Sequence, residues 1–275
     1  MQLTFAKMRG LGNDFILLDW LDIQHSLNPS ALALKLCHRH YGIGADGLMV
    51  LTTRGSCFQM RIFNPDGSEA EMCGNAIRCG GKYLWEQGYT RASSFSIDTL
   101  SGRKHLSLDI AGNKVRQITV DMGKPEFSPA RIPVNLDGDS VIARPLPIDD
   151  HRSIPITCVN LGNPHCILFG DNDPCLLGPK IEYHSLFPAR TNVEFVTVLG
   201  KNEIDVRVWE RGVGETLACG SGACAGAIAA YLNDYTTRKV KVHLVSGTLN
   251  VHWQQDQHVY MTGPATLVFK GRIDC

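Results

Sequence analysis

The chain has 275 residues, enough for one large domain or two of ordinary size. With 44% apolar and 20% charged residues it reads as a globular protein. Lys and Arg together number 27, as do Asp and Glu. This balance, with no basic run interleaved with aromatics, points to no nucleic-acid or membrane partner and leaves a small molecule as the expected one.

The N-terminal stretch from Met1 to Met8 lacks the charged start and long apolar run of a signal peptide. No segment approaches the roughly 20 apolar residues of a membrane span. The expected location is therefore cytoplasmic. The ten cysteines (37, 57, 73, 79, 158, 166, 175, 219, 224 and 275) then read as free thiols, most of them small core residues.

In chain order, Leu11-Gly12-Asn13 comes first, and it recurs as Leu161-Gly162-Asn163. A short β-rich run, Gln59 to Phe63, follows. Its residues Met60-Arg61-Ile62-Phe63 match Val206-Arg207-Val208-Trp209, an offset of 146 (206 minus 60). Without a gap, the same offset places Glu69 on Glu215, Cys73-Gly74 on Cys219-Gly220 and Asn75 on Ser221. Further on, Ser101-Gly102 recurs as Ser246-Gly247, and Val120-Asp121-Met122 is echoed by Val259-Tyr260-Met261. Matching blocks in one order, at about half the chain length, imply two related lobes.

The Pro- and Gly-rich stretch from Gly123 to Pro133 suits the crossing. It puts 1–122 with 264–275 in a lobe carrying Cys73, and 123–263 in a lobe carrying Cys219. The residues after Pro264 have no counterpart in the first half and are expected to return to the first lobe as an added strand. Asp205 to Trp209 and the alternating Val240 to Leu244 read as strands. The segments after both Cys-Gly pairs read as helices, and Ala223 to Leu232 is apolar on nearly every side, the pattern of a buried helix. The expected fold class is α+β: two structurally similar lobes related by pseudo-twofold symmetry, each a mixed or antiparallel sheet wrapped around a central buried helix.

Cys73-Gly74-Asn75 and Cys219-Gly220-Ser221 sit where a loop enters a helix. The first N–H groups of a helix have no internal partner, and with the helix dipole they cradle a carboxylate. The same place is expected to lower a thiol's pKa. One Cys-Gly at a helix start is more often structural than catalytic; a duplicated pair is different. In lobes facing each other across a cleft, two sulfurs would flank one α-carbon, one as thiolate base and the other as thiol acid, which is what inversion of a stereocentre needs. A metal site is disfavoured, because Cys73 and Cys79, and Cys219 and Cys224, lack the short spacing of zinc ligands. A disulfide between Cys73 and Cys219 would be an oxidation product.

Over essentially its whole length the chain resembles the diaminopimelate epimerases. The resemblance rests on Lys7 to Phe15, Arg61 to Glu69, Cys73-Gly74-Asn75, Gly162-Asn163-Pro164-His165, and Glu210 to Thr216 running into Ala218-Cys219-Gly220-Ser221-Gly222. It implies cofactor-independent conversion of LL- to meso-diaminopimelate for lysine and peptidoglycan synthesis, without metal or pyridoxal phosphate, by a homodimer. Cys73 would be the base towards the LL form and Cys219 towards the meso form. The backbone of Gly74, Asn75, Gly220 and Ser221 would hold the reacting carboxylate. Asn13, Asn64, Asn163, Asn192, Glu210 and Arg211 would hold the rest of the substrate, with His165 and Glu210 tuning the thiols.

Arginine is suited to a distal carboxylate, and asparagines to a zwitterionic end. A proline or hydroxyproline racemase, the nearest rival, has no use for such a polar distal pocket. One departure stands out. Gly47 follows Asp46, where some members of the family carry Gln.

Overall fold

Each half of the chain runs through the same series of pairings. A computed structural model describes residues 2–21, 27–149 and 151–274; Met1 and Cys275, the outer limits of the expected first lobe, lie outside the described residues. Contacts divide the chain into one unit of Met1–Asp121 with Thr262–Cys275 and another of Met122–Met261.

The first unit contains β1 (Gln2–Gly10), β2 (Asn13–Asp19), α1 (Pro29–Leu36), β3 (Gly47–Arg54), β4 (Cys57–Phe63), β5 (Glu69–Ala70), α2 (Gly74–Glu86), β6 (Ser94–Thr99), β7 (Gly102–Ala111) and β8 (Lys114–Asp121). The β1–β2, β3–β4, β4–β5, β6–β7 and β7–β8 pairs are antiparallel, whereas β2–β3 and β4–β6 are parallel.

The second unit contains β9 (Arg144–Pro147), β10 (Ser153–Asn160), β11 (Pro164–Phe169), α3 (Pro174–Glu182), β12 (Asn192–Gly200), β13 (Glu203–Glu210), β14 (Gly214–Thr216), α4 (Gly220–Leu232), β15 (Lys239–Leu244) and β16 (Gly247–Trp253). The chain continues through β17 (Val259–Gly263) to β18 (Thr266–Asp274), which pairs antiparallel with β1. In the second unit β10–β11, β12–β13, β13–β14 and β15–β16 are antiparallel, and β11–β12 and β13–β15 parallel, so the steps of the first unit from β1–β2 through β6–β7 recur. The expected α+β class, with two similar lobes of mixed sheet around a buried helix, matches this topology.

The duplication extends to register and local chemistry. Ile62 faces Ala70 and Phe63 faces Glu69; Val208 faces Thr216 and Trp209 faces Glu215. In both hairpins an arginine grips the opposite glutamate with two hydrogen bonds, Arg61 to Glu69 at 2.6 Å each, and Arg207 to Glu215 at 2.8 and 3.1 Å. Pairs this exposed are worth about 0–1 kcal/mol, and their main effect is to hold the hairpin that leads into the Cys-Gly helix. The lesser helices also start alike. Asn28 and Asp173 accept from the N–H two residues on, each followed by proline at the first helical position.

Helices α2 and α4 have 13 residues each and are buried along nearly all of their length. Glycine is what lets the sheet come so close. A Cβ on Gly81 would lie 2.5 Å from Leu106 Cδ2, and one on Gly226 would lie 3.3 Å from Val206 Cγ2. No helix among the described residues is long and apolar enough to cross a membrane.

Candidate active site

In the first lobe the β4–β5 hairpin delivers Cys73 as the N-cap of α2, with extended backbone (φ −138°, ψ 121°). The helical ladder begins with Ile77 N–H donating to Cys73 C=O, which leaves the N–H groups of Gly74, Asn75 and Ala76 outside it. Asn75 is buried, and its side chain turns inward. Its amide donates to Asn13 Oδ1 at 2.5 Å, and its own Oδ1 accepts from Arg78 Nη2 at 2.7 Å. Arg78 is fully buried and also donates to Gly74 C=O at 2.9 Å. The Asn75 side chain is therefore engaged within the lobe, and its backbone N–H lies outside the helical ladder.

Asn13 Nδ2 donates to Asp46 Oδ2 at 3.3 Å. Behind it, Asp46 and Asp14 share Arg39, and Asp14 also pairs with Lys7 at 2.6 Å. Burial would raise the Asp14 carboxyl, but hydrogen bonds from Arg39 and Lys7, and their charges, hold it down at about 2. Gly10 ends β1 against α2, since a Cβ there would lie 2.9 Å from Asn75 C=O. Asn64 lies in an exposed turn, its amide donating to Ser68 Oγ at 2.9 Å. At Gly47 a Cβ would come within 3.1 Å of Phe63 C=O, so a side chain here needs the neighbouring strand to give by a few tenths of an ångström.

In the second lobe Cys219 is the N-cap of α4 (φ −124°, ψ 119°). Its sulfur accepts from Gly222 N–H at 3.4 Å and lies 3.5 Å from Ser221 Oγ. The expectation that a helix start lowers the thiol pKa is corrected here. Burial pushes Cys219 well above an ordinary thiol, and the carboxylates of Glu210 and Glu194 add to this; the Ser221 and Gly222 contacts oppose it and lose. Cys219 is only 9% exposed, so desolvation outweighs the two hydrogen-bond contacts. Glu210 ends β13, accepts from Thr216 Oγ1 at 2.6 Å, and is itself raised by burial.

Asn192 is buried and is used within the lobe. It donates to Pro164 C=O and accepts from Arg211 N–H, both at 2.9 Å, and so fixes the backbone from which Arg211 projects. The Arg211 side chain is exposed, with Nη1 donating to Ala189 C=O at 3.1 Å. His165 is fully buried between two oxygens, Glu194 Oε1 at 2.7 Å from Nδ1 and Asn163 Oδ1 at 2.9 Å from Nε2. Glu194, the hydrogen-bond partner of His165, and Glu210 are the two carboxylates that act on Cys219. Sequence reasoning missed Glu194 and Arg78. A lone carboxylate inside the apolar run Val193-Glu194-Phe195-Val196 was the available signal for the first.

Two thiols at equivalent helix starts, each with a buried polar network behind it, on a duplicated α+β fold, define the class. The same fold occurs in a probable proline racemase from Agrobacterium radiobacter (TM-score 0.72, 11% identity, 99% of this chain and 93% of that one). It also occurs in a PhzF-family phenazine biosynthesis protein from Bacillus anthracis (TM-score 0.68, 16% identity, all of both chains). At these identities only the fold is shared. The family is settled by sequence. The diaminopimelate epimerase family model matches residues 5–128 and 157–268. Similar chains include the diaminopimelate epimerases of Pelotomaculum thermopropionicum (49% identical, 97% of both chains) and Acetivibrio thermocellus (46% identical, 99% of both). That of Methanococcus maripaludis is also 46% identical, over 99% of this chain and all of that one. The chain belongs to the diaminopimelate epimerase family and is an isomerase, an amino-acid epimerase.

Proposed function

We propose that the chain converts LL-2,6-diaminopimelate to meso-diaminopimelate by a two-base proton transfer in which Cys73 and Cys219 act on opposite faces of one α-carbon. The observation that carries this reading is the pair of cysteines capping equivalent helices in a chain of this family. Cys73 as thiolate removes the α-proton of the LL substrate: the C–H bond breaks and an S–H bond forms. The electron pair left on carbon spreads into the substrate carboxylate. The N–H groups at the starts of α2 and α4, from Gly74, Asn75, Gly220 and Ser221, stabilise that charge. The Cys219 thiol then gives its proton to the other face and is left as thiolate. A thiol held protonated by burial and by Glu210 suits the acid in this direction.

Asn13 and Asn163 present amides to the amino-acid end, Arg211 binds the distal carboxylate, and Asn64 and Asn192 complete or support those contacts. No cofactor takes part. The product serves lysine and peptidoglycan synthesis in the cytoplasm, where the nine described free thiols stay reduced. The working form is a homodimer, a reading supported by Val268 and Phe269, which expose 53% and 48% of their surface on β18.

Turnover with LL-diaminopimelate and none with proline is the expected result. Turnover of proline alone would replace this reading with that of a proline racemase.

A further inference from the structure

The two lobes support their asparagines by different means, and the difference singles out Glu194. In the first lobe Asn13 Oδ1 accepts from Asn75, which is held in turn by Arg78. The counterpart of Asn75 in the second lobe is Ser221, whose hydroxyl lies beside Cys219. Asn163, the counterpart of Asn13, instead has its Oδ1 2.9 Å from His165 Nε2.

Strand register shows what the lobes place at the supporting positions. Phe15 faces Gly47 as His165 faces Asn192, and Met49 faces Ile62 as Glu194 faces Val208. The fold accepts Phe and Met at these two core positions in one lobe and carries His and Glu in the other. His165 and Glu194 are both 0% exposed, and Glu194 Oε2 has no hydrogen-bond partner among the described residues. An orphaned buried oxygen is destabilising, a cost that an apolar residue would avoid. The carboxylate also lies under the first turn of α4, since a Cβ on Gly222 would come within 2.8 Å of Glu194 Oε1 and 3.3 Å of Cys219 Cβ.

We propose that Glu194 is a positioning residue: by fixing His165 through Nδ1 it makes Nε2–H donate to Asn163 Oδ1, so that Asn163 meets a ligand with its amide N–H groups. The orientation follows from where the proton of the pair sits: an ionised Glu194 facing a neutral ring would take Nδ1–H and leave Nε2 bare, the arrangement the test below excludes. A neutral Glu194, which burial favours, donates to Nδ1 of a ring that carries its single proton on Nε2. This rests on the substrate-binding role of Asn163 in the function proposed above.

The test has a part that needs no turnover. In the 15N-histidine-labelled protein, the His165 resonances, identified by their loss in His165→Gln, report a protonated Nε2. A bare Nε2 overturns the proposal, whatever the substrate proves to be. With LL-diaminopimelate, Glu194→Ala lowers kcat/KM by about 10–100-fold, the range for loss of a group that orients a functional histidine. Glu194→Gln, whose side-chain NH2 can donate to Nδ1 and so keep the ring proton on Nε2, restores most of it. Adding Asn163→Ala to Glu194→Ala causes little further loss, because both act through one chain of bonds. Full additivity of the two, or a Glu194→Ala effect seen only in melting temperature, contradicts the positioning role. If Glu194→Ala does not fold, the 15N spectrum and Glu194→Gln decide: loss of Nε2–H in the folded Gln variant together with unchanged kcat/KM overturns it. A wild-type protein inactive on diaminopimelate with Nε2 protonated would fail the function and leave the His165 geometry standing.

Discussion

Burial and the Glu210 carboxylate both oppose a thiolate at Cys219. Replacing Glu210 with Gln removes a negative charge while keeping an acceptor for Thr216, so the Cys219 pKa should fall. Alkylation of Cys219 by iodoacetamide, followed by peptide mass spectrometry across pH, should show its midpoint move to lower pH in Glu210→Gln. An unchanged midpoint would mean that Glu210 does not act on the sulfur. At Asp14 the sign is opposite. Its carboxyl is held at about 2 against an ordinary 3.8, so its contribution to stability is present above about pH 4 and is lost as pH falls through about 2. The gap in urea midpoint between wild type and Asp14→Asn should therefore close over that window. At this scale the cysteines and asparagines were legible because they recur in matching blocks. Glu194 was not, because an acid in an apolar run reads as the wet side of a strand. Its meaning comes only from His165, 29 residues away in sequence.

The second buried helix announced itself by its Ala and Gly content, the first only by following its Cys-Gly pair, and the price of glycine in both is intolerance of growth. Gly81→Ala gains about 1 kcal/mol of helix propensity but forces a methyl group against Leu106, itself fully buried, at a cost of about 1–3 kcal/mol. A modest net drop in melting temperature is expected by calorimetry; a rise would show that Leu106 yields freely. Gly222→Ala meets a polar neighbour instead. It should displace the Glu194 carboxylate from His165 and lower kcat/KM for diaminopimelate with little loss of stability. Helices α1 and α3 carry sound start signals in Asn28-Pro29 and Asp173-Pro174, but the residues around them share no similarity that would have linked them as a pair. Backbone pairing conserves their place while their side chains diverge.

At the scale of the molecule, the repeat of sequence blocks translated into a repeat of parallel and antiparallel steps, because strand order is set by where chain reversals and crossovers fall. The pairing of β18 with β1 lies outside the repeat. Deleting residues 266–274 should speed hydrogen exchange in β1 and β2 and leave α4 protected; uniform loss of protection would mean that the two units unfold as one.

The claim on which the rest depends is that two thiols, one donating and one accepting, invert a single carbon. It is tested most directly by initial turnover of LL-diaminopimelate in D2O. Early meso product should carry one solvent deuterium at the inverted centre while recovered LL substrate stays unlabelled, and Cys73→Ala and Cys219→Ala should each abolish product formation. Deuterium in recovered substrate as fast as in product, or normal turnover in either variant, would contradict the account.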